Sequence, residues 1–251
     1  MCRLEDPSKY KPGGYYPLEI GEKVHDGRYL ILHCLGHGGC STVWLALDQS
    51  YDNSAQPDPL RPRYVALKNG AASCGQQEAN LLHELQTLLR SRPAWSPLPD
   101  HRQGGSRHIV TLLDYFQIGG RNGSHCCLVT EFLGPSVADL HRSPGIAGCY
   151  LLPLPVARRV ALQRAEALAV LHSQGIVHAG KFHHRACLLE VELLAGCNID
   201  LHPGNLAFAL TVDTNSWTVE QLYEALGGKP VKIPFDKALT RLPWARFSTP
   251  R

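Results

Sequence analysis

Between residues 28 and 68 the chain is written in short apolar runs, RYLILHCLG, STVWLALD and RYVALK, separated by glycines and polar stretches. Runs of that length, rich in Val, Leu, Tyr and Trp and closed by turn residues, are strands, and their succession predicts an antiparallel meander. Two more, HIVTLLDYFQI and HCCLVTEFL, are joined by the turn GGRNGS and read as a hairpin. Residues 49–63 (QSYDNSAQPDPLRPR) are polar and proline-rich, and form a loop between two strands.

Helical spacing appears in two further places. Over residues 76–89, Leu81, Leu82, Leu85, Leu88 and Leu89 fall on one helical face. After Gly134 and Pro135 the sequence PVARRVALQRAEALAVLHSQG forms an amphipathic helix, with Val156, Val160, Ala167, Leu168 and Leu171 on or near one face. A last helix is expected over about 219–226, opened by a cap at Thr218. Strands first and helices after predict an α+β fold of two lobes. The division is an extended Pro/Gly/Tyr-rich arm over 1–28, a β-rich lobe over 29–133 and a helical lobe over 134–251.

Composition sets bounds on function. The 251 residues are 44% hydrophobic and 19% charged, with a net charge of +3, which gives no reason to invoke nucleic acid or a membrane surface. No apolar run is long enough to span a bilayer, and the N-terminus is not a signal peptide. The 9 cysteines are too sparse for a disulfide scaffold, so reduced, mostly buried thiols in the cytoplasm and/or nucleus are expected. Cys126 and Cys127 are adjacent in a strand and should face opposite ways. His178, His183, His184, Cys187, Cys197 and His202 match no standard zinc spacing.

The chemistry lies elsewhere. LGHGGCSTVWLA sets Gly36, Gly38, Gly39 and Ser41 between two strands, where glycine lets the backbone approach a phosphate and N–H groups bind its oxygens. Alone, that is also what an ordinary hairpin turn looks like. Lys68, at the end of the strand Tyr64-Val65-Ala66-Leu67-Lys68, gives the glycines a purpose, because an inward lysine beside them can neutralise a phosphate. It needs a carboxylate to hold it. Glu78 lies within the leucine stripe of the 76–89 helix and is the better candidate; Glu84, at its edge, reads as a solvated carboxylate.

Together these features resemble a eukaryotic-type protein kinase, and more narrowly the SR-protein kinase family in its fungal form. The resemblance is carried by GGYYPLEIGEKVHDGRYLILHCLGHGGCSTVWLALD, YVALK, HIVTLLDYFQIGGRNGSHCCLVTEFLGPSV, LHSQGIVHA and DLHPGNLAF, over roughly residues 12–210. It implies an ATP- and Mg2+-dependent serine/threonine kinase acting on proteins, with Arg-Ser-rich substrates as the family's preference. Leu35, Gly36, His37, Gly38, Gly39, Ser41 and Val43 would cover the nucleotide, and Lys68 paired with Glu78 would hold the α- and β-phosphates. Thr130 would be the gatekeeper, with Glu131 and Leu133 offering backbone groups to adenine. Asp200 would be the catalytic aspartate and Asn205 a magnesium ligand. His202 stands where most kinases carry a lysine.

Two departures complicate that picture. The family phrase His-x-Asp is split, His178-Ala179 being separated from Asp200 by GKFHHRACLLEVELLAGCNI, residues 180–199. Gly-Lys-Phe can be encoded by GGTAAGTTT, which contains a donor splice signal, and Ile-Asp by ATAGAT, which supplies a terminal AG. Excision at those points regenerates an Asp codon and the phrase IVHADLHPGNLAF, so the segment reads as a retained in-frame intron. The second departure is that no Asp-Phe-Gly segment follows Asn205, and the helical lobe reads as incomplete. A catalytically dead, pseudokinase-like fragment that binds nucleotide or a protein partner is therefore the second reading. The spliced transcript is expected to lack the codons for 180–199; sequencing it across codons 170–251 checks this, and a transcript that keeps them rejects the intron.

Overall fold

A computed structural model describes residues 7–52, 61–73, 107–142, 152–173 and 202–230. The expected 76–89 helix, with Glu78, and the 180–199 segment, with Asp200, lie outside the described residues. The chain divides into two units. One takes in Met1–Asn80, Thr111–Phe132 and Thr211–Arg251, the other Leu81–Val110 and Leu133–Leu210.

The first unit is built on a six-stranded sheet of order β1-β2-β3-β4-β6-β5, antiparallel throughout. The strands are β1 (Lys23–Val24), β2 (Tyr29–His37), β3 (Ser41–Asp48), β4 (Tyr64–Gly70), β5 (Leu112–Gly120) and β6 (Gly123–Glu131). The expected meander is thus present, with β6 inserted between β4 and β5. The turn from β1 to β2 places His25 and Asp26 at φ 53 and Gly27 at φ 85. Asp and His tolerate that left-handed region better than most side chains, and Gly enters it freely.

Side chains alternate along each strand, so the sheet carries two apolar faces. On the first, Trp44, Ala46, Val65, Leu67, Tyr29 and Phe116 pack with Leu18 and Val24, which come from the N-terminal segment. Cys127 belongs to this core, and Asn69 Nδ2 donates to its sulfur at 3.2 Å. On the second, Leu32, Leu45, Leu47 and Tyr64 close over Leu222. The short helix α1 (Gln49–Asp52) follows β3.

Leu222 belongs to α4 (Val219–Ala225), the helix expected near the chain's end. Thr218 caps it as anticipated: its hydroxyl accepts from Gln221 N, and the Gln221 side chain accepts from Thr218 N. That reciprocal box satisfies two backbone donors the helix cannot pair internally. The segment before it is tied to the start of β4. Arg63 N donates to Asn215 Oδ1 at 2.8 Å, and Tyr64 Oη and Arg63 both donate to the Trp217 carbonyl, at 2.8 and 2.9 Å.

An ion network fastens one end of the sheet. Arg28 binds Asp48 and Asp114, each at 2.8 Å, and Tyr29 Oη donates to the same Asp114 oxygen at 2.8 Å. Burial pushes the Asp48 carboxyl up, but Arg28 and the hydroxyl and N–H of Ser50 outweigh it and hold the pKa below its ordinary value. Cys34 is disulfide-bonded, a correction to the expectation of thiols throughout; Cys40, Cys126 and Cys127 are free.

The second unit contains α2 (Val137–Arg142) and α3 (Leu154–Ser173). Ser136 and Asp139 cap α2 reciprocally, the Ser136 hydroxyl donating to the Asp139 carboxylate at 2.6 Å and accepting from Asp139 N at 3.1 Å. In α3 the expected apolar face is covered unevenly by its surroundings. Leu171 is buried, Val160, Ala167 and Leu168 are half-buried, and Val156 is exposed, as are Leu154 and Leu162. Residues 206–208 run beside 134–137, with Gly134 N donating to Phe208 O at 2.8 Å and Val137 N to Leu206 O at 2.7 Å.

Because Leu222 is only 1% exposed, Leu222→Ala should destabilise the protein by about 2–5 kcal/mol. Glu224→Ala, on the exposed side of the same helix, should cost under about 0.5 kcal/mol. Urea unfolding of the two variants measures the difference.

Candidate functional site

The glycine-rich hairpin is the turn between β2 and β3. Gly36 pairs with Val43 and His37 with Thr42, and Gly38 N donates to Ser41 O at 2.8 Å to close the turn. None of Gly36, Gly38 and Gly39 has a positive φ. A Cβ at Gly36 or Gly39 would meet nothing within 4 Å, and one at Gly38 only the Ser41 hydroxyl at 3.9 Å. Neither backbone conformation nor packing among the described residues therefore demands glycine at these three positions.

The register of the sheet brings the other strand residues onto the hairpin's face. Val43 stands opposite Lys68 and Lys68 opposite Leu128. Directly opposed residues of antiparallel strands share a face, so Gly36, Val43, Lys68 and Leu128 form one row across the sheet. Two residues along each strand, Leu45, Ala66 and Thr130 form the next row. Lys68 is half-buried in this surface, as its apolar strand predicts. Leu35 packs on the edge of the Leu222 cluster.

At the end of β6 the Thr130 hydroxyl donates to the Glu131 carbonyl at 3.4 Å, and the Glu131 carboxylate accepts from Thr111 N at 2.9 Å. The Glu131 side chain thus serves the start of β5, so any contact it makes with a base falls to its main chain. The chain passes to the second unit after Phe132, and Leu133 belongs there.

Asn205 lies in that second unit, at the end of the 3-10 turn Pro203–Asn205, with its side chain exposed. Asn205 N donates to His202 O at 2.9 Å, and His202 Nδ1 accepts from Gly204 N at 2.9 Å. His202, which the sequence offered as a zinc ligand or as the stand-in for the usual kinase lysine, here caps the turn that presents Asn205. An accepting Nδ1 places the proton of the neutral ring on Nε2. Among the described residues no group of three or more His, Cys, Asp or Glu could hold a metal ion.

Sequence reasoning missed two residues at the hairpin. Lys9 Nζ donates to Gly39 O at 3.0 Å, and Tyr15 Oη donates to Gly38 O. Both reach backbone carbonyls from the N-terminal segment, a contact that leaves no mark in residue spacing.

Comparison with known proteins finds protein kinases. Protein kinase dsk1 of Schizosaccharomyces pombe is 37% identical over 175 residues, 69% of this chain and 29% of its own length. The serine/threonine-protein kinase SRPK of Physarum polycephalum is 31% identical over 240 residues, covering 93% of this chain and 46% of that protein. Human SRSF protein kinase 3 is 35% identical, with 69% of this chain and 27% of its own covered. The chain is SR-protein-kinase-like. It spans less than half the length of these three curated relatives. No protein-family model matches it. Among solved structures, a kinase domain aligns at 15% identity with a TM-score of 0.42, over 64% of this chain and 39% of its own, too little overlap to carry the fold.

Thiol chemistry should report on the hairpin of this kinase-like chain. Cys40 is exposed at its tip, whereas Cys127 is buried and its pKa is pushed up to about 12, chiefly by burial. Alkylation at pH 8 followed by peptide mapping should modify Cys40 at least about tenfold faster than Cys127, since the thiolate is the nucleophile.

Proposed function

We propose that this chain carries the nucleotide-binding and catalytic-loop part of a serine/threonine protein kinase. It would transfer the γ-phosphoryl group of ATP to protein hydroxyls, with Arg-Ser-rich proteins as the substrate class. The observation that supports this best is the hairpin whose three glycines meet no packing constraint among the described residues, lying on one sheet face with a half-buried lysine. A phosphate is the group that explains both, since it needs close backbone approach and a neutralising cation.

ATP and Mg2+ fit the residues on each unit. The hairpin would cover the phosphates, Lys68 would neutralise them, and Val43 in the lysine row with Ala66 in the next would give the apolar surface a base requires. Asn205 supplies one hard oxygen donor. A single protein oxygen suits magnesium, which keeps much of its shell as water and substrate phosphate. When bound, the nucleotide–metal pair supplies the phosphoryl group and neutralises charge on it. The protein's part is to bind, orient and screen. Glu78 is the proposed partner of Lys68, and Asp200 the residue that positions the substrate hydroxyl.

The test is transfer of label from γ-labelled ATP, with magnesium, to an Arg-Ser repeat peptide. Intact protein should label the peptide, and Lys68→Ala should reduce kcat/KM by about 10²-fold or more, the loss typical of removing one stabilising group from a reacting centre. ATP binding without transfer would instead make the chain a nucleotide-binding module. The absence of both binding and transfer would reject the kinase reading.

A further inference from the structure

The N-terminal segment is fixed against one end of the sheet. Gly13 N donates to Asn122 O at 2.8 Å, and buried Asn122 returns a bond from its side-chain amide to Tyr15 O at 2.7 Å. Ala72 N and Ser73 N, just past β4, donate to Gly14 O and Gly13 O at 3.0 and 3.1 Å. Tyr15 is 1% exposed, with Tyr10 edge-on to its ring at 5.6 Å and the Lys9 ammonium 5.6 Å from its centroid. From this base two donors reach out to the hairpin, Tyr15 Oη to Gly38 O and Lys9 Nζ to Gly39 O. The next carbonyl, that of Cys40, accepts from Ala71 N at 2.7 Å.

Three consecutive carbonyls at the hairpin tip are therefore each held by a donor from elsewhere in the unit. This matters for a loop made of glycine. Its two glycines have the largest conformational freedom of any residue and no side chains with which to limit it. A loose carbonyl also presents its negative end to an anion. Tying the carbonyls down removes both obstacles at once.

We propose that residues 9–15 act as a clamp that positions the glycine-rich hairpin for phosphate, with Tyr15 and Lys9 as positioning residues rather than ligands of the nucleotide. The phosphate half of this statement rests on the nucleotide reading above; the clamp itself does not. Tyr15 supplies the rigid anchor, because its ring is buried and only its hydroxyl is directed to the hairpin. Lys9 adds a charged donor, whose bond is the stronger kind. The clamp acts on the phosphate end of a nucleotide and leaves the base untouched.

The test compares intact protein with Tyr15→Phe, which keeps the ring, and Lys9→Gln, which keeps a donor without the charge. Hydrogen–deuterium exchange is followed at residues 37–41, and binding of magnesium-ATP and of adenosine is titrated. Tyr15→Phe should speed exchange at 37–41 by about three- to tenfold, the factor that loss of one hydrogen bond gives, and weaken ATP by a similar factor. Adenosine affinity and exchange in residues 42–48 and in β4 should stay unchanged, and Lys9→Gln should show a smaller loss in the same direction. Unchanged exchange at 37–41, or faster exchange spread over the whole sheet, overturns the clamp. Parallel loss of ATP and adenosine overturns its selectivity for phosphate. If intact protein binds neither ligand, the nucleotide reading fails, and the exchange data still decide whether the clamp exists.

Discussion

Strand β3 is covered on both faces, and the first unit follows from that. Trp44 and Ala46 point into one core while Leu45 and Leu47 point into the other, each of the four at most 8% exposed. A strand enclosed in this way cannot shift by one residue without exchanging its two sets of side chains between differently shaped cores. The register of β3 against β2 and β4 is pinned accordingly. With it are pinned the hairpin that begins β3, the row that joins Val43 to Lys68, and the row of Ala66 and Thr130 behind it. The chemistry-bearing residues are mostly not core residues. Their positions follow from neighbours, one place along the strand, that are.

Much of this was legible in the sequence because strands and capped helices write their signals locally. The apolar runs gave β2, β3 and β4 close to their observed limits, and GGRNGS marked the β5–β6 hairpin. Thr218 announced α4 as a cap, and the box the structure adds with Gln221 needs only four consecutive residues. What stayed illegible depends on partners distant in the chain. The apolar side chains of Trp217, Leu222 and Tyr223 say that α4 is buried, but not that it lies against β2, β3 and β4. Likewise residues 1–28 read as an extended arm because proline, glycine and tyrosine describe no regular element. The organisation of residues 9–15 comes from bonds to backbone groups of residues 38, 39, 72, 73 and 122, which follow no pattern in the sequence.

The candidate site divides along the same line. Gly36, Gly38, Gly39 and Lys68 could be picked out because glycine and lysine in a strand context are each unusual, and the register then set them on one face. His202 could not be placed, since an imidazole serves equally as phosphate contact, metal ligand or cap. Its bond to Gly204 N decides for the cap. Glu78 and Asp200 lie outside the described residues; Glu78 stands on its place in the leucine stripe and on the resemblance, Asp200 on the resemblance.

The docking of α4 on the sheet has a consequence for how the unit is made. The face carrying Leu32, Leu45, Leu47 and Tyr64 is closed by Leu222, which is synthesised after nearly all the rest of that unit's described residues, with the whole second unit in between. During translation the completed strands therefore lack Leu222 over that face while residues 133–210 emerge from the ribosome. At roughly 5–20 residues per second that interval lasts some seconds, long against the collapse of a small sheet. The nascent unit then holds a sheet whose second apolar face lacks Leu222 until α4 arrives.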